Sequence, residues 1–87
     1  MRSITAAIAT AFGQPLTLVP ALLRPPGPGQ VEVATRAVAI CHSDIIFLDG
    51  GWGGALPAVY GHEAAGVVTA AGPGADLTPG TRVVVTL

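Results

Sequence analysis

Four side chains with metal-binding or proton-transfer chemistry stand in two short segments of this sequence. Residues 39–44 read AICHSD and hold Cys41 and Asp44, whereas residues 60–72 read YGHEAAGVVTAAG and hold His62 and Glu63. Thiolate and imidazole are ligands that zinc favours, and a catalytic zinc site uses three protein ligands plus one open position. A carboxylate beside a ligating histidine fixes its tautomer. The residues alone leave two interpretations open: a metal site, or a buried cysteine and a separately hydrogen-bonded histidine.

The composition restricts the possible functions. The chain has 87 residues, which is room for one small domain. Charged residues make up 10%, well below the roughly 25% of a typical soluble domain, so part of the surface is expected to be covered. The basic residues are four scattered arginines and the net charge is −1, which argues against nucleic acid or anionic membrane as a partner. No apolar run approaches the ~20 residues that span a bilayer.

The single cysteine indicates the redox environment of the protein. One cysteine cannot form an internal disulfide, and this fits a reducing environment. Residues 1–13 bear only a faint likeness to a signal peptide, because the stretch lacks leucine and is interrupted by threonines. We therefore expect a cytoplasmic protein.

Short strands must position the reactive groups. Alternation and β-branched content predict strands over residues 4–12, 16–19, 30–40, 64–71 and 82–87. A turn at residues 13–15 makes the first two a hairpin, and the proline-rich residues 20–29 predict a rigid surface connection that is not the centre of a sheet. Near Val38 the apolar residues switch from one face of the predicted strand to the other, as a β-bulge would cause. The class is mainly β, a small barrel or sandwich.

One helical turn is predicted after the cysteine. Ser43 can cap this turn, and Asp44 is then favourably placed at its positive end. The glycines of residues 50–54 end the turn and begin a loop. The same serine hydroxyl remains available for chemistry, so the cap and a catalytic role are compatible.

Together, CHSD and the following GHEAAGVVTAAG resemble the N-terminal catalytic segment of the zinc-dependent medium-chain alcohol dehydrogenases. Their signature is a Gly-His-Glu triplet followed by glycines at set spacing, and Gly61, His62, Glu63, Gly66 and Gly72 match it. In that family the segment belongs to a GroES-like β-barrel domain. The resemblance thus implies that residues 1–87 are an incomplete GroES-like domain with one short helical turn.

The resemblance implies a metal site. Cys41 and His62 match the ligands of the catalytic zinc. Glu63 matches a carboxylate near the metal that can ligate it transiently. Asp44 matches the partner of the ligating histidine, outside the coordination sphere.

The resemblance also implies roles in proton transfer and binding. Ser43 matches the hydroxyl that takes the proton from the substrate alcohol. His42 matches a basic residue that contacts the cofactor pyrophosphate. Trp52 falls where some members place an aromatic wall of the substrate pocket, although loop packing is an equally simple explanation of this side chain.

The function implied is that of an NAD(P)-dependent alcohol dehydrogenase with zinc, acting on small alcohols or aldehydes, with a homo-oligomeric full-length enzyme possible. Family members are several times longer, and this sequence holds neither the later cysteine ligand nor a G-x-G-x-x-G fingerprint. We therefore expect a fragment that is inactive alone. A non-enzymatic GroES-like binding or oligomerisation module is the alternative. A zinc-free reductase of the same superfamily is a third interpretation, against which Cys41 and His62 argue.

Overall fold

A computed structural model describes residues 1–86 and shows two small antiparallel sheets and one helix. In chain order the elements are β1 (Arg2–Ile8), β2 (Thr17–Leu23), β3 (Val31–Val38), α1 (His42–Asp49), β4 (Ala64–Ala71) and β5 (Arg82–Val85). β1 pairs with β2, and β4 lies between β3 and β5. The prediction of a mainly β chain with five strands is confirmed. Leu87, the last residue of the predicted fifth strand, lies outside the described residues.

The first hairpin differs from its prediction at both ends. β1 begins at Arg2 and ends at Ile8, and β2 continues through Pro20 to Leu23. The second strand therefore extends four residues beyond its predicted end at residue 19, into the stretch that was predicted to be a rigid surface connection. In a two-stranded sheet both strands are edges, and an edge tolerates proline because its missing N–H can face outward. Pro20 accordingly pairs in register with Thr5.

β3 carries two irregularities in its pairing with β4. The register shifts between Glu32 and Val33, and again between Thr35 and Ala37, where Arg36 is passed over. A bulge adds one residue to one strand and so changes which face the following side chains occupy. The parity change near Val38 reflects this second irregularity, which lies slightly earlier in the chain than predicted.

Two glycines let backbone segments approach closely. A Cβ on Gly66 would meet the carbonyl oxygen of Ala34 on the neighbouring strand, and one on Gly72 would meet the carbonyl oxygen of Gly27. Neither glycine has a positive φ, so the requirement is for space and not for an unusual backbone conformation. These glycines serve packing, and next to them Val68 of β4 is only 1% exposed.

The helix α1 is longer than the single turn predicted, and its cap is a different residue. Cys41, not Ser43, is the N-cap, with extended φ and ψ of −93° and 152°. Asp44 at the third helical position accepts a hydrogen bond from the Cys41 backbone N–H at 3.1 Å, as the acidic member of a capping box does. Gly50 ends the helix with φ of 82°, a conformation that glycine adopts without strain.

Backbone hydrogen bonds join the hairpin region to the rest of the chain. Ala9 and Ala58 exchange two backbone hydrogen bonds of 2.8 and 3.0 Å, and the Gly13 N–H donates to the Leu48 carbonyl at 2.8 Å. Ala9 is 2% exposed and belongs to a very small buried core. No helix within residues 1–86 is long and apolar enough to cross a membrane.

Candidate metal centre

Two strands bring the motif segments together. β3 and β4 pair antiparallel up to Val38 opposite Ala64. The pairing continues beyond the strands, because the Ala39 N–H donates to the Glu63 carbonyl at 2.9 Å. The residues that follow Ala39 therefore start beside the residues that precede Ala64. This continuation places the start of α1 next to the Gly-His-Glu triplet.

Three potential ligand atoms converge at this point. One donor atom each from Cys41, His62 and Glu63 lies within 4.8 Å of the other two. Cys41 comes from the N-terminus of α1, whereas the other two residues directly precede β4. Gly61 has φ of 137°, which L side chains rarely adopt, so a glycine is needed where the chain turns into the histidine.

Asp44 links the helix cap to the histidine. Its Oδ2 accepts the Cys41 N–H, and its Oδ1 lies 3.4 Å from Nδ1 of His62. The Asp44 side chain is 12% exposed and that of His62 18%, so this contact is largely shielded from water. With Nδ1 facing a carboxylate, Nε2 is the nitrogen left for a ligand, and it lies 3.4 Å from Oε1 of Glu63.

Hydrogen bonds at the site shift two pKa values in opposite directions. Hydrogen bonding to the Ser43 hydroxyl, then to the Ser43 backbone and to His62, lowers the pKa of the Cys41 thiol. The hydrogen bond with Cys41 raises the pKa of His62; burial opposes this rise, and the charge of Asp44 adds to it. The Cys41 shift favours a thiolate, the form of cysteine that binds metals, whereas His62 must be neutral to ligate one.

The donor set suits a borderline-soft divalent cation. Sulfur, imidazole nitrogen and a carboxylate oxygen are the three ligand types found around zinc, and three ligands leave one of four positions open. Glu63 is 48% exposed, which leaves its side chain free to move toward or away from an ion. The residues present thus fit a zinc ion with an open position.

The other predicted residues occupy different surroundings. Ser43 lies inside α1, and its hydroxyl forms a hydrogen bond with the Cys41 thiol. His42 is exposed at the first helical position and is not one of the three converging residues. Trp52 is 58% exposed, and its ring meets that of Phe47 edge-on at 4.8 Å between centroids. Phe47 in turn stacks on Tyr60 at 5.5 Å, so the indole is anchored from the helix side.

A cavity beside the donors was not predicted. It has a volume of about 610 Å³ and includes His62 and Glu63 in its lining, together with small apolar residues of β3, β4 and β5. Alanines carry no recognisable signal in a sequence, so only the pairing of the three strands reveals this space. Phe47 was likewise missed, although an aromatic residue in the predicted helical turn, five positions before Trp52, is a usable signal.

In this β-rich domain, the start of α1 and the residues just before β4 supply one cluster of potential metal ligands. The alcohol dehydrogenase GroES-like domain model matches residues 27–87 of the sequence. The chain therefore belongs to the alcohol dehydrogenase GroES-like domain family, and its fold is a partial GroES-like fold.

Individual relatives agree with this membership. The chain is 42% identical over 81 residues to an alcohol dehydrogenase class-3 of Cereibacter sphaeroides, covering 91% of this chain and 22% of the relative. It is 42% identical over 73 residues to an NADP-dependent alcohol dehydrogenase C of Mycobacterium bovis, covering 83% and 21%. A solved alcohol dehydrogenase zinc-binding domain protein from Burkholderia ambifaria matches with a TM-score of 0.90 and 44% identity, over 94% of this chain and 22% of that one. The chain thus spans about 22% of the length of such relatives.

Proposed function

We propose that residues 1–87 are the zinc-binding portion of an NAD(P)-dependent alcohol dehydrogenase, which transfers a hydride between an alcohol and a nicotinamide cofactor. The convergence of Cys41, His62 and Glu63 within 4.8 Å, from two separate segments, carries this proposal. Family membership supports it. The complete reaction belongs to a protein of the length of the relatives, because hydride transfer needs a bound dinucleotide.

Cys41 and His62 are the proposed zinc ligands, with Glu63 as a third donor. When bound, zinc acts as a Lewis acid that lowers the pKa of an alcohol hydroxyl. Asp44 lies against Nδ1 of His62, so Nε2 is the nitrogen that would hold the metal. The lowered pKa of Cys41 reduces the cost of releasing the thiol proton when a metal binds.

The remaining roles concern the proton, the cofactor and the substrate. Ser43 relays the proton of the substrate hydroxyl, accepting it while donating its own proton to water, and its interaction with Cys41 keeps its hydroxyl at the site. His42, exposed at the start of α1, contributes to holding the pyrophosphate of NAD or NADP. Trp52 is proposed as an aromatic wall on the helix side of the site, since its ring is anchored on Phe47 and still 58% exposed.

We expect the 87-residue chain on its own to bind zinc weakly and to give no alcohol-dependent NADH production. Three ligands on a partly exposed surface hold a metal less firmly than a closed set does. Its sequence also offers no dinucleotide fingerprint. The physiological partners in this proposal are a small alcohol or aldehyde and, for the full enzyme, further copies of itself in the cytoplasm.

The alternative is a GroES-like module that binds or oligomerises without catalysis. Such a module has no need for a thiol, an imidazole and a carboxylate at one point. Metal binding that depends on these side chains therefore separates the two proposals.

The decisive experiment is a Co²⁺ titration of the purified chain, followed by thiolate-to-cobalt charge-transfer absorption. The wild type and His42→Gln should develop this absorption with similar affinity, whereas Cys41→Ser should lose it and His62→Gln should bind at least tenfold more weakly. His42 is a matched control because it is the chain's other histidine. A His62→Gln variant that binds cobalt as tightly as the wild type would refute the metal centre.

A further inference from the structure

Two side chains on one face of α1 contact the segment that carries the histidine. Asp44 and Phe47 are three residues apart in the helix and therefore lie on the same side of it. Oδ1 of Asp44 lies 3.4 Å from Nδ1 of His62. The Phe47 ring stacks on the Tyr60 ring at 5.5 Å between centroids, with 19° between the ring planes. Residues 60–62 are thus attached to α1 at two points.

The glycine between these two points leaves the segment with freedom that side chains must restrict. Gly61 has φ of 137°, and a Cβ built on it would have no atom of another segment of residues 1–86 within 4 Å. The backbone on either side is held where Ala58 pairs with Ala9 and where the Glu63 carbonyl accepts the Ala39 N–H. The direction of the imidazole therefore depends on the side-chain contacts around the glycine.

The helix is the common reference for both proposed ligands. Cys41 is the N-cap of α1, so its sulfur moves with the helix. His62 lies outside the helix and the strands, so its distance from Cys41 depends on the contacts that join the two segments. The stacked rings are such a contact. They are half-buried and separate from the buried apolar residues Ala9 and Val68, which favours a local positioning role.

We propose that Phe47 and Tyr60 are positioning residues for the metal centre: their stack holds the Gly-His-Glu segment on α1 and keeps the His62 imidazole beside the Cys41 sulfur. The inference rests on the proposed function, because a shared metal ion requires both donors at one point. Neither ring belongs to the three converging donors, so both act through the histidine.

The size of the effect follows from the ring pair. Such a pair contributes a factor of about 2 to 12 in an equilibrium constant beyond the area that it buries. Loss of the stack lowers the fraction of folded chains in which the imidazole is correctly placed. The apparent metal affinity should fall by the same factor as that fraction.

The first test measures Co²⁺ affinity of the 87-residue chain by thiolate-to-cobalt absorption, corrected for the folded fraction that urea unfolding gives. Tyr60→Leu removes the ring but keeps apolar bulk, and it should weaken cobalt binding about 3- to 10-fold. Tyr60→Phe keeps the ring and should stay within about 1.5-fold of the wild type. A lower urea midpoint with unchanged corrected affinity would show a merely structural contact and overturn the inference.

Phe12→Leu is the matched control. The Phe12 side chain lies against Gly50, at the other end of α1, so this substitution removes an aromatic contact with the same helix but away from His62. It should leave cobalt affinity within about 1.5-fold of the wild type. Phe47→Leu breaks the proposed stack from the helix side, so the test does not depend on one variant folding. Combined with Tyr60→Leu it should cause no further loss, whereas additive losses would contradict a shared role.

A metal-free measurement separates this inference from the proposed function. In ¹H–¹⁵N spectra of the imidazoles at alkaline pH, wild-type His62 should carry its proton on Nδ1, facing Asp44. Tyr60→Leu should raise the ratio of the Nε2–H to the Nδ1–H tautomer about 3- to 10-fold. The exposed His42 is the internal reference.

The outcomes are distinct. A Tyr60→Leu chain with wild-type cobalt affinity and wild-type tautomer populations would overturn the inference. Failure of the wild type to bind cobalt would refute the proposed function, and the tautomer ratio would then decide by itself whether the stack orients the imidazole.

Discussion

Asp44 offers the sharpest test of how helix and histidine are coupled. Its two oxygens have different partners: Oδ2 accepts the Cys41 N–H at 3.1 Å, and Oδ1 lies 3.4 Å from Nδ1 of His62. Asp44→Asn keeps the shape but replaces one acceptor with an NH₂ group. One of the two partners must then face a donor instead of an acceptor, whichever way the amide is turned.

The cost follows from which partner loses its acceptor. If the amide nitrogen faces Cys41, a shielded backbone N–H is left without an acceptor, which costs about 1–3 kcal/mol of folding free energy. If it faces His62, the imidazole loses the group that orients Nε2. Loss of such a partner lowers metal affinity about 10- to 100-fold, or about 1.4–2.7 kcal/mol. We therefore expect a loss in at least one of these two quantities.

The measurements are urea unfolding of the metal-free chain and Zn²⁺ affinity by competition with a chromophoric chelator. Asp49→Asn is the matched control, because it makes the same chemical change at the other end of α1, where a carboxylate faces the negative end of the helix dipole. Asp49→Asn should leave both quantities almost unchanged or slightly raise stability. An Asp44→Asn variant within twofold of wild-type zinc affinity and with the same urea midpoint would refute the reasoning.

Further predictions concern packing and the thiol. Gly66→Ala should destabilise the chain by about 1–3 kcal/mol, because its methyl group would meet the Ala34 carbonyl. Urea unfolding measures this loss of stability. The comparison is Ala65→Gly, one residue earlier, which adds no atom. In the metal-free chain, alkylation of Cys41 by iodoacetamide should reach its half-maximal rate at a lower pH than alkylation of an unperturbed cysteine does. Ser43→Ala removes the largest cause of the lowered pKa and should move that midpoint to higher pH; an unchanged midpoint would contradict the assignment. Zn²⁺ should slow alkylation of the wild type.

Local sequence patterns were sufficient for the strands and the end of the helix. The alternation in β3 and the β-branched run in β5 predicted both strands, because both patterns are properties of each strand alone. Gly50 was correctly predicted to end α1, since a left-handed residue at that point is a local requirement. The end of β2 was predicted too early, because a strand can continue through Pro20 only where it is an edge, which the sheet order alone determines.

The start of α1 likewise depends both on local residue type and on contacts that the sequence does not reveal. Ser43 is a good N-cap by residue type, yet the helix begins earlier, because the Asp44 carboxylate satisfies the Cys41 N–H and makes Cys41 the cap. The choice between two adjacent starts depends on a few hydrogen bonds of similar strength. The other oxygen of the Asp44 carboxylate faces His62, which is remote in sequence.

The sequence by itself determined the chemical types at the candidate site: a thiol, an imidazole and two carboxylates in two glycine-containing motifs. Only the tertiary structure decided that Cys41, His62 and Glu63 meet within 4.8 Å, that Asp44 faces Nδ1, and that a groove of small side chains begins beside them. The physical reason is that residue type is a local property, whereas proximity depends on the register of β3 on β4 and its continuation to the Ala39–Glu63 hydrogen bond. A shift of that register by one residue would turn the side chains to opposite faces of the sheet and separate the donors.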